Sequence, residues 1–298
     1  MKKLIVVVGP TAVGKTVLCV RLAKWFSTEI ISADSRQFYK EMSIGTAKPT
    51  PEEMQAIPHH FVDSHTIHEE YSVGHFEKEA LVTLQNIYQK KEVAILTGGS
   101  GLYTKVICDG IDDMPEADLA LRQQLNQRLE KEGLAQLLKE LKMYDLAYYK
   151  EVDRANPQRV IRALEVYLST GKPFSSFRKQ EKVDRPFECI KIGLNRTREE
   201  LYERINHRMD LMLQNGLLEE VKALYAYRQH NALKTVGYKE IFDYLEGQYD
   251  WEECVRLLKR NSRHYAKRQL TWFKKDEAIT WFHPEAYEEI VDFIQKCL

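Results

Sequence analysis

The stretch GPTAVGKT, residues Gly9–Thr16, decides the fold because it matches the phosphate-binding pattern GxxxxGK[ST]. The apolar run Leu4–Val8 before it predicts a buried strand, and Lys15–Trp25 after it predicts a helix. Strand, glycine-rich loop and helix in this order are the context that the motif requires. In such a loop, backbone N–H groups surround a phosphate, the lysine contacts its outer oxygens, and the hydroxyl of Thr16 binds Mg²⁺.

The alternation of strands and helices continues after the loop. Glu29–Ala33 and Glu92–Leu96 are further short apolar strands, and the second is followed by the turn Gly98–Gly101. Short apolar strands separated by helical stretches are typical of a parallel, doubly wound sheet. We therefore expect an α/β fold, a P-loop NTPase-like parallel sheet flanked by helices.

A helical segment interrupts this pattern. From Asp118 to about Tyr167 the leucines recur at helical spacing, and the next strand signal is Glu188–Leu194. We therefore predict a helical insertion domain at residues 116–185. Residues 1–115 and 186–298 would form the P-loop core, and the chain would finish in helices.

Composition limits the partners and the location. The chain has 298 residues, 44% of them hydrophobic and 30% charged, and no apolar run approaches the length of a membrane span. Its five cysteines are widely spaced, which argues against a zinc site or a disulfide framework and favours a reduced cytoplasmic location. The 44 basic and 44 acidic residues balance, but a local basic patch can still bind a polyanion.

The loop alone does not identify its phosphate compound, since nucleotide kinases, ATPases and diphosphate-releasing transferases all use one. Asp34 follows the strand Glu29–Ala33, at the sheet edge where ligands bind, and is placed to accept a proton from a second substrate. An Asx turn or a helix cap is the alternative for Asp34. The strand Glu92–Leu96 leads into Thr97 and not into the Asp of an ATPase, so an NTP-hydrolysing motor is disfavoured.

In addition to the P-loop, the chain carries a series of motifs in a characteristic order. They are IISADSRQFY from Ile30, IGTAKP from Ile44, PHHFVD from Pro58, YSVGHF from Tyr71, GGSGLY from Gly98, NPQRVIRALEVYLSTGKP from Asn156, VGYKEI from Val236 and AKRQLTWF from Ala266. With these motifs the chain resembles the tRNA dimethylallyltransferases over essentially its whole length. The segment Tyr144–Ala155 departs from the family pattern.

The resemblance implies a reaction. The donor would be dimethylallyl diphosphate, and the acceptor would be N6 of the adenosine on the 3′ side of the anticodon of tRNA. Asp34 would be the general base on N6. The P-loop would hold the diphosphate leaving group with Mg²⁺, and the partner would be the tRNA anticodon stem-loop. We also expect a monomer without a membrane partner.

The resemblance also implies two sets of binding residues. The residues expected to hold the diphosphate are Gly9, Pro10, Thr11, Ala12, Val13, Gly14, Lys15 and Thr16, with Thr16 on the metal. The residues expected to contact tRNA are Asp34, Ser35, Arg36, Gln37, Ser100, Arg122, Gln158, Arg159, Val160, Ile161 and Arg162.

The segment 256–275, RLLKRNSRHYAKRQLTWFKK, contains eight Lys or Arg and no acid. On a helix one face would carry four cations, Arg256, Arg260, Arg263 and Lys267. Leu258, Tyr265 and Trp272 would lie opposite, where core packing is the simplest explanation. The basic face is either a solvated surface or a contact for RNA backbone phosphates or the diphosphate.

Five histidines cluster between His59 and His75, but their spacing does not match a zinc site, and we expect a structural loop there. Two functions compete with prenyl transfer. A small-molecule or nucleotide kinase would share the P-loop and Asp34 but would leave the insertion and the basic helix unexplained. A nucleotide-gated RNA-binding protein would leave Asp34 without a role.

Overall fold

The computed structural model describes residues 1–178 and 182–298. The chain divides into two compact units. The first comprises Met1–Asp109 and Asp184–Leu298, and we call it the core unit; the second, Gly110–Val183, we call the helical unit.

The core unit contains one six-stranded sheet in which every strand pair is parallel. The strands are β1 Lys2–Val8, β2 Ile30–Ser32, β3 His59–His60, β4 Val93–Gly98, β5 Phe187–Leu194 and β6 Thr280–Phe282. Their order in the sheet is β3-β2-β4-β1-β5-β6. The expected α/β fold with a P-loop NTPase-like parallel sheet is confirmed.

Within the part of the chain that the structure describes there are fourteen α-helices and two short 3-10 helices, Tyr225–Tyr227 and Asn231–Leu233. The α-helices are α1 Lys15–Trp25, α2 Pro51–Met54, α3 Val73–Tyr88, α4 Gly101–Asp109, α5 Leu119–Glu132, α6 Leu134–Tyr144, α7 Leu146–Glu151, α8 Pro157–Thr170, α9 Phe174–Phe177, α10 Arg198–Gln214, α11 Leu217–Ala223, α12 Lys239–Leu245, α13 Trp251–Phe273 and α14 Tyr287–Cys297. No helix of residues 1–178 and 182–298 is long and apolar enough to cross a membrane.

The predicted elements agree with the structure where the sequence signal is long. α1 has the predicted bounds, and β1, β4 and β5 lie within two residues of theirs. β3 and β6 were not predicted, because strands of two and three residues show no alternation of apolar and polar positions. The expectation that the chain ends in helices is therefore wrong in one respect, since β6 precedes α14. His59 and His60 form β3 and not the expected loop.

The sheet topology brings three loops together at one edge. Val8, at the end of β1, pairs with Gly98 of β4, and Ser32 of β2 pairs with Thr97. Because all the strands are parallel, the segments that follow β1, β2 and β4 emerge side by side. These segments are the P-loop, the turn that carries Asp34, and the glycine turn before α4.

The helical unit has a hydrophobic core of its own. The buried residues include Leu125, Leu137, Leu141, Tyr148, Val160, Ile161 and Leu164. They come from α5 to α8 at helical spacing, as the leucine pattern of the sequence predicts. Contact between this unit and tRNA stays a prediction.

Candidate active site

The P-loop joins β1 to α1 in a conformation that depends on glycine. Gly14 has φ 117° immediately before α1, and Gly9 has φ 151° at the end of β1. A β-carbon on Gly9 would lie 2.7 Å from the carbonyl oxygen of Leu194 on β5. The loop therefore opens directly onto the N-terminus of α1, where unpaired N–H groups and the helix dipole favour an anion.

Lys15 lies inside this loop. Its Nζ donates hydrogen bonds to the carbonyl oxygens of Gly9 at 3.0 Å and Pro10 at 2.8 Å. Burial, and after it the charge of Arg208, lower the pKa of the Lys15 ammonium to about 8, while Asp34 acts in the opposite direction. A desolvated ammonium next to another cation is strongly stabilised when an anion binds.

Three arginines that were not predicted from the sequence lie near the P-loop or its lysine. Arg204 Nε donates to the carbonyl of Ala12 at 2.8 Å, and Arg196 Nε donates to that of Val13 at 3.2 Å. Arg208 lies one turn after Arg204 on α10 and lowers the pKa of Lys15. The spacing of four residues between Arg204 and Arg208 is a sequence signal for one helix face, but only the fold turns that face toward the P-loop.

Asp34 lies two residues after the end of β2. Its Oδ1 accepts the backbone N–H of Arg36 at 2.9 Å, so the Asx turn considered above is present. The same carboxylate is half-buried beside Lys15, and loss of solvent raises its pKa while hydrogen bonding and Lys15 oppose that shift. A desolvated carboxylate with a raised pKa is a stronger base than one in water. The turn and the proton-accepting role are therefore compatible.

Two side chains near Asp34 differ in whether their hydrogen-bond donors already have protein partners. Gln37 is occupied, because its Nε2 donates to the carbonyls of Thr46 at 3.1 Å and Ala47 at 3.0 Å. The buried Nε of Arg36 has no hydrogen-bond partner among residues 1–178 and 182–298. A buried donor without a partner is costly, and an acceptor supplied by a substrate would satisfy it.

Ser35 and Ser100 join two of the loops. The backbone N–H of Ser35 donates to Ser100 Oγ at 3.0 Å, and the two hydroxyls are also 3.0 Å apart. Tyr265 of α13 contacts Ser100 and lies beside Asp34 and Arg36, and burial raises its pKa to about 12. Tyr265 was expected opposite the basic face as part of the core; it lies on that side of the helix, but its phenol is beside Asp34 and Arg36.

The basic face of α13 is more heavily paired than the sequence suggests. Arg256 bonds Glu253, an acid just outside the segment considered above, and Arg263 Nη1 donates to Asn206 at 2.6 Å. Arg260 Nε donates to Asn261 at 3.1 Å, and Lys267 is exposed. Trp272, expected in the core, is 42% exposed. The buried positions are instead Cys254, Leu258, Ser262, Ala266, Gln269 and Phe273.

The segment Gln158–Arg162 lies in the first turns of α8 and carries both exposed and buried side chains. Gln158 and Arg159 are exposed, whereas Val160 and Ile161 are 0% and 1% exposed in the core of the helical unit. Burial removes the Val160 and Ile161 side chains from the predicted tRNA contact.

Arg122 and Arg162, also expected on tRNA, both bond the fully buried Glu165, at 2.7 Å and 2.5 Å. Their charges thus support the fold of this unit.

Within residues 1–178 and 182–298, no group of three or more His, Cys, Asp or Glu could hold a metal ion. His60 is paired with Glu29 at 2.6 Å, and His65 packs against Tyr71. The expectation that these histidines are structural agrees with these contacts.

Comparison with known proteins identifies the family. The family model described as IPP transferase matches residues 37–276. The chain is 51% identical to tRNA dimethylallyltransferase 1 of Bacteroides fragilis, over 100% of this chain and 99% of that protein.

Solved structures agree with this result. The full-length tRNA isopentenylpyrophosphate transferase of Bacillus halodurans is 39% identical with a TM-score of 0.74, covering 99% of this chain and 96% of its own. A eukaryotic dimethylallyltransferase described as acting on tRNA is 31% identical with a TM-score of 0.76, covering 91% and 70%.

These matches favour a prenyl-transferring enzyme with a diphosphate substrate over the kinase alternative. The chain belongs to the tRNA dimethylallyltransferase family, the IPP transferases.

Proposed function

We propose that this chain transfers a dimethylallyl group from dimethylallyl diphosphate to N6 of the adenosine on the 3′ side of the anticodon in tRNA. The observation that carries the proposal is the pairing of a half-buried base with an anion site at one edge of the sheet. Asp34 and Lys15 each influence the pKa of the other. A proton acceptor and a leaving-group site are therefore adjacent.

The proposed reaction uses Asp34 and the anion site together. The bond between C1 of the allyl group and the diphosphate oxygen breaks, and its electron pair leaves with the diphosphate. The N6 lone pair forms the new bond to C1, and Asp34 takes the proton that N6 loses. Positive groups placed where charge develops on the leaving oxygen lower the barrier without reorganisation.

The diphosphate would bind at Gly9–Thr16, against the N-terminus of α1. Lys15 supplies one cation, and we add Arg208 as a second because its charge already bears on Lys15. Arg196 and Arg204 hold the loop by its carbonyls and so support its shape.

Mg²⁺ fits this donor set. Thr16 places a hydroxyl on the first turn of α1, and Mg²⁺ commonly combines few protein ligands with substrate phosphates and water. No larger cluster of acidic or histidine ligands competes for the ion among the described residues. Bound there, Mg²⁺ would neutralise charge on the departing diphosphate.

The acceptor adenosine would approach Asp34 with its base out of the stack, at a cost of a few kcal/mol. Arg36 offers its Nε, which has no partner within residues 1–178 and 182–298, and Ser35 and Ser100 line the same turn. The exposed Gln158 and Arg159 of the helical unit would contact the anticodon stem-loop. We further propose that the enzyme acts as a monomer in the cytoplasm, where its RNA substrate is found.

The test uses an unmodified tRNA transcript incubated with enzyme, Mg²⁺ and either dimethylallyl diphosphate or ATP. Mass spectrometry of the intact RNA should show one added dimethylallyl group with the prenyl donor and no change with ATP. Phosphoryl transfer from ATP without prenylation would contradict the proposal.

A further inference from the structure

One face of α13 packs along the glycine turn Gly98–Gly101. Tyr265, Gln269 and Trp272 lie one turn apart on this helix and contact Ser100, Gly99 and Gly101 in that order. A β-carbon on Gly99 would overlap the amide nitrogen of Gln269. The turn therefore lies against α13 with no space for a larger residue at that position.

Gln269 links this turn to the P-loop. Its Oε1 accepts the backbone N–H of Thr11 at 2.8 Å, and its Nε2 donates to the carbonyl of Gly99 at 2.9 Å. The side chain is buried, with both ends of its amide satisfied. Buried amides in this state fix the groups that they join, because breaking either bond leaves an unpaired polar group.

A second connection leads from the same face of α13 to Asp34. Tyr265 contacts Ser100, and Ser100 accepts the backbone N–H of Ser35, the residue after Asp34. Gln269 thus bonds both the P-loop and Gly99, and Ser100, the residue after Gly99, bonds Ser35 of the Asp34 turn. The interval between Gln269 and Tyr265 is one helical turn, which is a rigid spacing of about 6 Å at 1.5 Å per residue.

We propose that Gln269 is a positioning residue that sets the separation between the diphosphate site and Asp34. It would act through Thr11 and Gly99, the two residues that its amide joins. This inference rests on the proposed function, in which C1 must lie between the leaving oxygen and N6. Misplacement by about 1 Å costs on the order of 10²-fold in such reactions.

The first test separates positioning from binding. Gln269→Leu replaces the amide with a branched apolar group of similar size and removes both hydrogen bonds, and kcat should fall about 10- to 100-fold. The KM values for both substrates should change less than threefold, because the contacting groups remain. Thr271→Ala, at an exposed position of the same helix, is the matched control and should leave kcat unchanged. A normal kcat for Gln269→Leu would overturn the inference.

The second test uses pH. In Gln269→Glu the protonated carboxyl can accept from Thr11 and donate to Gly99, as the amide does, whereas the ionised form cannot donate. The ratio of variant to wild-type kcat should therefore rise as pH falls, while the ratio for Gln269→Leu stays constant. Parallel, pH-independent ratios for both variants would contradict the inference, since a merely structural role predicts them.

The third test leaves Gln269 in place. Gly99 does not have a positive φ, so Gly99→Ala acts through the overlap with Gln269. We expect Gly99→Ala alone to lower kcat about 10- to 100-fold. When it is introduced into Gln269→Ala, the further loss of kcat should be less than threefold. Independent, multiplicative losses would overturn the inference. This arm also answers the question if Gln269→Leu does not fold.

The wild-type enzyme separates failure of the inference from failure of the proposed function. Without prenylation by the wild type, the proposed function fails and the variants are not informative about chemistry. With wild-type prenylation and a normal Gln269→Leu, only the positioning role fails.

Discussion

Lys15 and Arg208 share one buried environment: burial first, and then the nearby guanidinium of Arg208, lower the pKa of the Lys15 ammonium to about 8. Burial and the nearby Arg204 likewise lower the pKa of Arg208, against the opposing charge of Glu53. The arrangement therefore favours a ligand with more than one negative charge, as a diphosphate has.

Arg208→Ala should weaken donor binding. Loss of a charged hydrogen bond of about 1.5–3 kcal/mol corresponds to a rise in the KM for dimethylallyl diphosphate of roughly 10- to 100-fold. Steady-state kinetics at saturating tRNA measure this change. Arg256→Ala, which removes an exposed arginine paired with Glu253, is the control and should leave this KM unchanged. An unchanged KM in Arg208→Ala would exclude Arg208 from the donor site.

The dependence of kcat/KM on pH should be bell-shaped. On the acid side activity requires ionised Asp34, whose raised pKa places this limb above the range of an ordinary carboxyl. On the alkaline side activity should fall near pH 8, where the Lys15 ammonium loses its proton. Arg208→Ala should move the alkaline limb to higher pH, because one cause of the lowered pKa is gone. An alkaline limb that stays in place would argue against Lys15 as its source.

Asp34→Asn should lower kcat about 10²–10⁴-fold, the usual contribution of a positioned base.

The same substitution, Asp34→Asn, should also stabilise the fold at neutral pH. Because the folded-state pKa of Asp34 is raised, the native state binds more protons than the unfolded state between the ordinary carboxyl pKa and the raised value. Stability therefore falls as pH rises through this window. Thermal unfolding should give a higher Tm for the variant at pH 7, with the difference vanishing below about pH 4; a lower Tm at pH 7 would contradict this.

Arg159→Ala should weaken tRNA binding without unfolding the helical unit, since its side chain is exposed on α8. One phosphate contact fewer lowers the slope of log K against log salt by about 1. Filter binding at several salt concentrations measures this slope. Arg256→Ala is again the comparison, and its slope should match wild type because Glu253 already compensates the charge. Equal slopes for all three proteins would remove Arg159 from the contact.

Glu165→Ala should destabilise the helical unit by about 3 kcal/mol, since it removes the buried partner of Arg122 and Arg162. Glu165→Gln keeps part of the hydrogen bonding and should cost less. Chemical denaturation followed by circular dichroism measures both. Wild-type stability in Glu165→Ala would mean that the two arginines do not support the fold.

The sequence predicted most of the fold because its strongest signals are local. GPTAVGKT lies between an apolar strand and a helix, and α1 begins at Lys15 as predicted. β3 and β6 were not predicted, because they are defined by pairing with β2 and β5. Segments of two or three residues are too short to show a periodic pattern of apolar residues. Tertiary contacts create these strands.

The site residues that were predicted lie in motifs directly after the strands, whereas those that were missed come from distant helices. Lys15 and Asp34 follow β1 and β2, whose shared edge follows from the parallel sheet. Arg208 and Gln269 come from helices far along the chain, and their approach to the P-loop needs the fold. Periodicity alone also placed Trp272 in the core, although the helix turns it to the surface beside Gly101.

The most direct test of prenyl transfer to N6 compares two transcripts of one tRNA, with adenosine or inosine at the target position. Inosine lacks the exocyclic amine. After reaction with dimethylallyl diphosphate, nuclease digestion and nucleoside mass spectrometry should show one N6-dimethylallyl adenosine in the first transcript and no prenylated nucleoside in the second. Prenylation of the inosine transcript, or of neither, would contradict the account.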